Sequence, residues 1–137
     1  MLPASRTRRA TADQGRYRAS IALAYLRAAE HVLAEDGSET NLSVVAGLAV
    51  LAGIAASDAL CIRHLGSYAK GQDHDDAVDV LLSTGTPASR KWSQTLKRLV
   101  DLKDEAHYGF YSVSKSKATS ALKQGRLLVE AAIESFA

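Results

Sequence analysis

The sequence predicts an all-α protein, an antiparallel up-and-down bundle of four or five helices, on three observations. Apolar residues recur at three- and four-residue steps along nearly the whole chain, the period of a helix with one buried face. The two-residue alternation of a half-buried strand is nearly absent. Only two prolines occur, Pro3 and Pro87, and most glycines stand between the periodic segments rather than inside them.

Each helix carries its own signals. The first is expected from about Gln14 to Asp36, with Tyr17, Ile21, Tyr25, Ala28 and Val32 on its apolar stripe; the segment Asp36-Gly37-Ser38 stops it. Asn41-Leu42-Ser43 offers a cap for a second helix that reaches about Leu65. This segment is apolar nearly all round, so it is the expected core helix. It is rich in small residues (Ala46, Gly47, Ala49, Ala52, Gly53, Ala55, Ala56, Ala59), which let neighbouring backbones approach closely. After the loop Gly66–Gln72, Asp73 is placed to cap a short third helix ending near Leu82. Asp75 and Asp76 lie in its first turn, where the helix dipole favours negative charge. Ser83-Thr84-Gly85-Thr86-Pro87 breaks the chain, and a fourth helix follows from about Ser89 to His107, with Gly109 just past its end. Ser114 caps a fifth, from about Lys115 to Ser135, whose Ala118, Leu122, Gly125, Val129, Ala132 and Phe136 keep helical spacing. Short connections between long helices favour antiparallel neighbours. There is no internal repeat. The expected organisation is a flexible basic arm over residues 1–14 and one bundle over 15–137.

Composition narrows the function. A chain of 137 residues with 47% apolar residues buries a core of its own and is not disordered as a whole. Residues 1–18 carry five arginines (Arg6, Arg8, Arg9, Arg16, Arg18) against one acid, Asp13, while the remaining 119 hold 12 basic and 14 acidic groups. The body is therefore no broad basic clamp, and attraction for phosphate must come from the arm or from a local pocket. The single cysteine, Cys61, rules out an internal disulfide framework and favours a reducing compartment. The N-terminus has charge but no apolar core of a secretory signal. The apolar run Val44–Ala56 ends at Ser57 and Asp58, short of a bilayer span. A cytoplasmic protein without membrane association is expected.

The fourth helix carries the most informative feature. Its stripe runs Trp92, Leu96, Leu99, Lys103, His107, so a cation and an imidazole continue the apolar face into the last turn, beside Tyr108. On a half-buried face they would bind a phosphate and move a proton. The plain alternative is a lysine complementing the helix dipole and a histidine bonding the last free carbonyls. Asp58 follows the long apolar run, and a buried carboxylate needs a partner or it neutralises. Lys103, His107 or a tyrosine hydroxyl are the expected partners, in a structural ion pair or at a binding site. Asp73, Asp75, Asp76 and Asp79, with His74, are better explained as helix capping than as metal ligands, because no EF-hand order or paired His/Cys spacing accompanies them. No bound metal and no cofactor are expected. His31 and His64 lie outside any motif. There is no glycine-rich phosphate loop, no Gly-x-Ser-x-Gly elbow and no cysteine nucleophile at a helix start.

The stretch Leu102-Lys103-Asp104-Glu105-Ala106-His107-Tyr108-Gly109, with Val113-Ser114 and the alanine-spaced last helix after it, resembles the C-terminal half of HEPN domains. The small-residue second helix with Ala56-Ser57-Asp58-Ala59-Leu60, and the loop Gly71-Gln72-Asp73-His74-Asp75, are similar to that family as well. The likeness covers about residues 15–136 and rests on the order of these features. It implies an up-and-down helical bundle, commonly dimeric, that works with RNA or nucleotides. Many such proteins are metal-independent ribonucleases and toxins of toxin–antitoxin systems. Others are non-catalytic modules that bind RNA or nucleotides or dock a partner protein such as a nucleotidyltransferase. The family pattern of an arginine followed by a histidine is altered here. His107 matches the histidine, but Lys103 is the nearest cation and Arg98 lies too far upstream. The catalytic set implied is His107, Lys103 and Asp104, with Tyr108, Asp58 and His74 as binding residues.

Overall fold

The computed structural model describes residues 6–36, 38–71, 74–108 and 112–137, the side chains of Asp104, Glu105, His107 and Tyr108 excepted. Helices account for most of these residues, with one small two-stranded sheet. Helix α1 (Ala12–Glu35) starts on a reciprocal cap: Gln14 N–H donates to the Thr11 hydroxyl at 3.1 Å, and Thr11 N–H donates to Gln14 Oε1 at 2.8 Å. Helix α2 (Glu39–Leu65) starts earlier than the Asn41–Ser43 cap expected for it, because Ser38 takes the capping role and accepts from Asn41 N–H at 3.2 Å. The Asn41 side chain instead donates to Asp36 Oδ1. Gly66, at φ 71°, closes α2 in the left-handed conformation and donates its N–H to the Ile62 carbonyl.

The segment read as a flexible arm is docked from Arg6 onward. Thr7–Arg9 form strand β1, antiparallel to β2 (Ser67–Ala69), with Thr7 opposite Ala69 and Arg9 opposite Ser67. Ala10 N–H donates to the Gly66 carbonyl, and Arg6 pairs with Asp76. Strands of three residues are too short to show an alternating pattern, so the sequence gives no sign of this ribbon.

Helix α3 (His74–Leu82) is short; the cap proposed for it, Asp73, lies outside the described residues. Helices α4 (Ser89–Tyr108) and α5 (Lys115–Ser135) fall where the periodicity predicts, and Ser114 caps α5 by accepting from Lys117 N–H. Contacts between helices fix their directions. Gly15 faces Ile62 and Arg18 meets Asp58, so α1 and α2 are antiparallel. Gly53 faces Leu99 and His64 stacks near Trp92, so α4 also opposes α2. Gly125 faces Ala49, Gly53 approaches Leu128 and Arg63 reaches the Ser135 carbonyl, so α5 runs parallel to α2.

The core is centred on α2, which touches every other helix. Ala46, Ala49, Ala52, Ala55, Ala56 and Ala59 are all fully buried. The α1 stripe differs from the expected one. Gly15, Ala19, Ala22, Leu26 and Ala29 are buried, whereas Tyr17 is 69% exposed and Ala28 is exposed. The physical reason is close approach: α1 turns its smallest residues toward the small residues of α2, and the larger Ile21, Tyr25 and Val32 flank the seam. On α4 the stripe holds as far as Lys103, with Leu96 and Leu99 buried and Trp92 and Lys103 half-buried; the His107 side chain lies outside the described residues. By length and composition α2 as a whole would suffice to cross a membrane, unlike the shorter run Val44–Ala56; most of its apolar stretch is instead buried in the bundle.

Candidate functional site

Two places gather the chemically capable side chains, and the sequence-predicted residues are divided between them. The first is the α3–α4 face. Lys103, one turn past the buried Leu99, extends half-buried toward the start of α3, where its Nζ lies 2.6 Å from His74 Nε2. An ammonium only donates, so Nε2 is the acceptor and the ring proton sits on Nδ1. Nearby, Lys97 holds Asp101 at 2.9 Å and Asp75 at 3.5 Å, tying the same two helices. His107 belongs to α4 one turn beyond Lys103, and Asp104 follows Lys103 directly. The side chains of His107, Asp104 and Tyr108 lie outside the described residues.

The second place surrounds Asp58. Its partner is Arg18 of α1, whose Nε and Nη2 both donate to Oδ2 at 3.3 Å; among the described residues neither Lys103 nor a tyrosine hydroxyl bonds it, and the His107 side chain lies outside them. The reason is topological. Asp58 lies on the α1-facing side of α2, near the end where β1 enters, while Lys103 faces α3 from α4. Burial pushes the Asp58 carboxyl up to about 6, a cost that the Arg18 charge only partly offsets. Around the pair opens a cleft of about 520 Å³ lined by Arg8, Arg9, Gln14, Arg18, Asp58, Ile62 and Tyr68. The sequence places Arg8 and Arg9 in a flexible arm and Arg18 on the first helix, and their common cleft is visible only once the ribbon folds back. The one sequence signal available was the local excess of arginine.

The remaining candidates take structural roles. The α3 acids are engaged in ion pairs, Asp76 and Asp79 with Arg6 and Asp75 with Lys97. Among the described residues no three His, Cys, Asp or Glu side chains converge as a metal site would require. Cys61 is buried, and burial together with the Asp58 charge pushes its thiol up to about 12, so it is no nucleophile. His64 is held below its ordinary value by burial and by Arg63, and it packs 5.8 Å from Trp92. No family model, no curated protein and no solved structure matches the chain.

Proposed function

We propose that this chain is a HEPN-type protein that engages RNA or nucleotides at the α3–α4 face, with metal-independent RNA cleavage as its activity. The observation that carries the reading is the Lys103–His74 contact at 2.6 Å, one turn from His107 on the same helix. It joins two residues placed 29 positions apart, both singled out by the resemblance. The chemistry follows from the residue types. A ribose 2′-hydroxyl attacks the adjacent phosphate and displaces the 5′-oxygen of the next nucleotide, leaving a 2′,3′-cyclic phosphate and a 5′-hydroxyl. His107 takes the proton from the attacking hydroxyl or supplies one to the leaving oxygen, and Lys103 steadies the charge that develops on the phosphorus oxygens. His74 orients Lys103, and Asp104 occupies the polar position beside it. In a homodimer two such faces would meet across one symmetry axis and share a substrate strand.

The test is cleavage of RNA by the purified protein in the presence of a chelator, beside His107→Ala and Lys103→Ala. Loss of a proton-transfer group lowers the rate by about 100-fold or more, and loss of the lysine by about 10- to 100-fold. Absence of cleavage by the folded parent protein, with RNA binding retained, would identify the non-catalytic form of the same reading: a module that holds RNA or nucleotide and docks a partner such as a nucleotidyltransferase. Absence of both cleavage and binding would sink the reading.

A further inference from the structure

The cleft around Asp58 belongs to neither the α3–α4 face nor the packing of the core, and its charges are unevenly spent. Three arginines are among its lining residues (Arg8, Arg9 and Arg18) against one acid, Asp58. Arg18 is committed to Asp58. Arg8 and Arg9 are exposed, and neither has an ion pair among the described residues. The α3 acids that the ribbon reaches, Asp76 and Asp79, are taken by Arg6, and Asp13 is paired with Arg16. The cleft therefore carries an excess of two positive charges.

Its polar floor is half used. Both Arg18 donors go to Asp58 Oδ2, and Oδ1 accepts from no described residue. Among the described residues the sealed side-chain polar atom without a partner is Thr86 Oγ1, so Asp58 Oδ1 keeps contact with solvent, which here means the cleft. The walls add an apolar surface, Ile62 of α2 and the ring of Tyr68, which stands opposite Arg8 in the ribbon.

We infer that this cleft binds a phosphomonoester of a hydroxyl-bearing small molecule, its phosphate held by Arg8 and Arg9 and a hydroxyl donating to Asp58 Oδ1. A dianionic phosphate matches the charge excess, and arginine forks match its oxygens. The carboxylate beneath is an acceptor only and repels an anion set directly against it, so it selects a ligand whose hydroxyl stands apart from its phosphate and reaches Asp58 while the phosphate stays on the arginines. The volume suits one sugar phosphate or mononucleotide rather than a duplex. The site stands apart from the α3–α4 face and is independent of whether that face cleaves RNA.

The test is calorimetric titration of the full chain near neutral pH with ribose 5-phosphate, adenosine 5′-monophosphate, inorganic phosphate and ribose. Ribose 5-phosphate binds at least about tenfold more tightly than inorganic phosphate, and ribose alone does not bind. If the nucleotide binds more tightly still, its base uses Tyr68; equal affinity identifies the sugar phosphate as the whole ligand. Arg8→Gln with Arg9→Gln weakens ribose 5-phosphate by about tenfold or more, and the exposure of both residues leaves the fold intact. Should the double variant fail to fold, Arg9→Gln alone is expected to weaken binding about threefold or more. Asp58→Asn narrows the gap between ribose 5-phosphate and inorganic phosphate. The inference fails if ribose 5-phosphate does not bind at millimolar concentration, or if it binds the arginine variants as tightly as the parent. His107→Ala leaves this binding unchanged.

Discussion

Asp58 shows how much one residue can reveal and conceal in a sequence. A carboxylate at the end of thirteen residues of apolar helix has to be compensated, and that was legible. Its partner was not, because Arg18 stands 40 positions away and only the packing of α1 on α2 brings the two together. Compensation is also incomplete. The folded carboxyl titrates at about 6, above its ordinary 3.8, because desolvation outweighs the attraction of Arg18. The folded state therefore binds this proton more readily than the unfolded state, and stability from this residue falls as pH rises between about 4 and 6. The whole effect is on the order of 2–3 kcal/mol. Asp58→Asn keeps the shape and removes the titration. We expect the variant to lose that dependence and to match or exceed the parent in stability at pH values above 6, as urea unfolding across a pH series would show. A variant that is less stable than the parent at high pH, with the slope unchanged, would mean that the ion pair outweighs its burial.

At the scale of the element, the boundaries of α4 and α5 and the burial of α2 were readable, because caps and a 3.6-residue period are local. The buried face of α1 was not. A hydropathy stripe ranks Tyr17, Ile21 and Tyr25 above glycine and alanine, whereas the seam with α2 is chosen by closeness of approach. The same rule governs the opposite side of α2. A side-chain carbon built on Gly125 would meet the Ala49 carbonyl oxygen at 3.0 Å, backbone against backbone, with no rotamer to relieve it. Gly125→Val is therefore expected to force α5 off α2 and to cost about 2 kcal/mol or more, read as a lowered urea midpoint. A neutral result would show that α5 can slide on α2.

For the whole molecule, chain direction alternates through α1, α2, α4 and α5, and the two candidate sites lie on different sides of the central helix. The bundle was legible in the sequence; the ribbon that creates the second site was not, since it depends on pairing segments some 60 residues apart. That ribbon also reaches α3, through Arg6 and Asp76 and through direct contact with β2. Apart from β2 and a limited contact with α2, α3 is held by α4, so its support is local. Removing residues 1–10 should speed amide exchange in α3 by about tenfold while leaving the central α2 amides at the global rate, an opening cost lowered by roughly 1.4 kcal/mol. Equal acceleration of both helices would instead mean that the ribbon supports the whole bundle.

The position of α2 in the chain has a consequence for biosynthesis. The helix precedes α4 and α5 in the chain, yet much of its covering comes from them, and they follow after α3. Until the ribosome completes them, α1 and the smaller contacts of β2 and α3 are what the described chain offers to cover a 27-residue segment whose length and apolarity would suffice for a bilayer. The nascent chain thus exposes one helix that water solvates poorly, and the alanines and glycines that let α5 pack closely on α2 are what complete its cover.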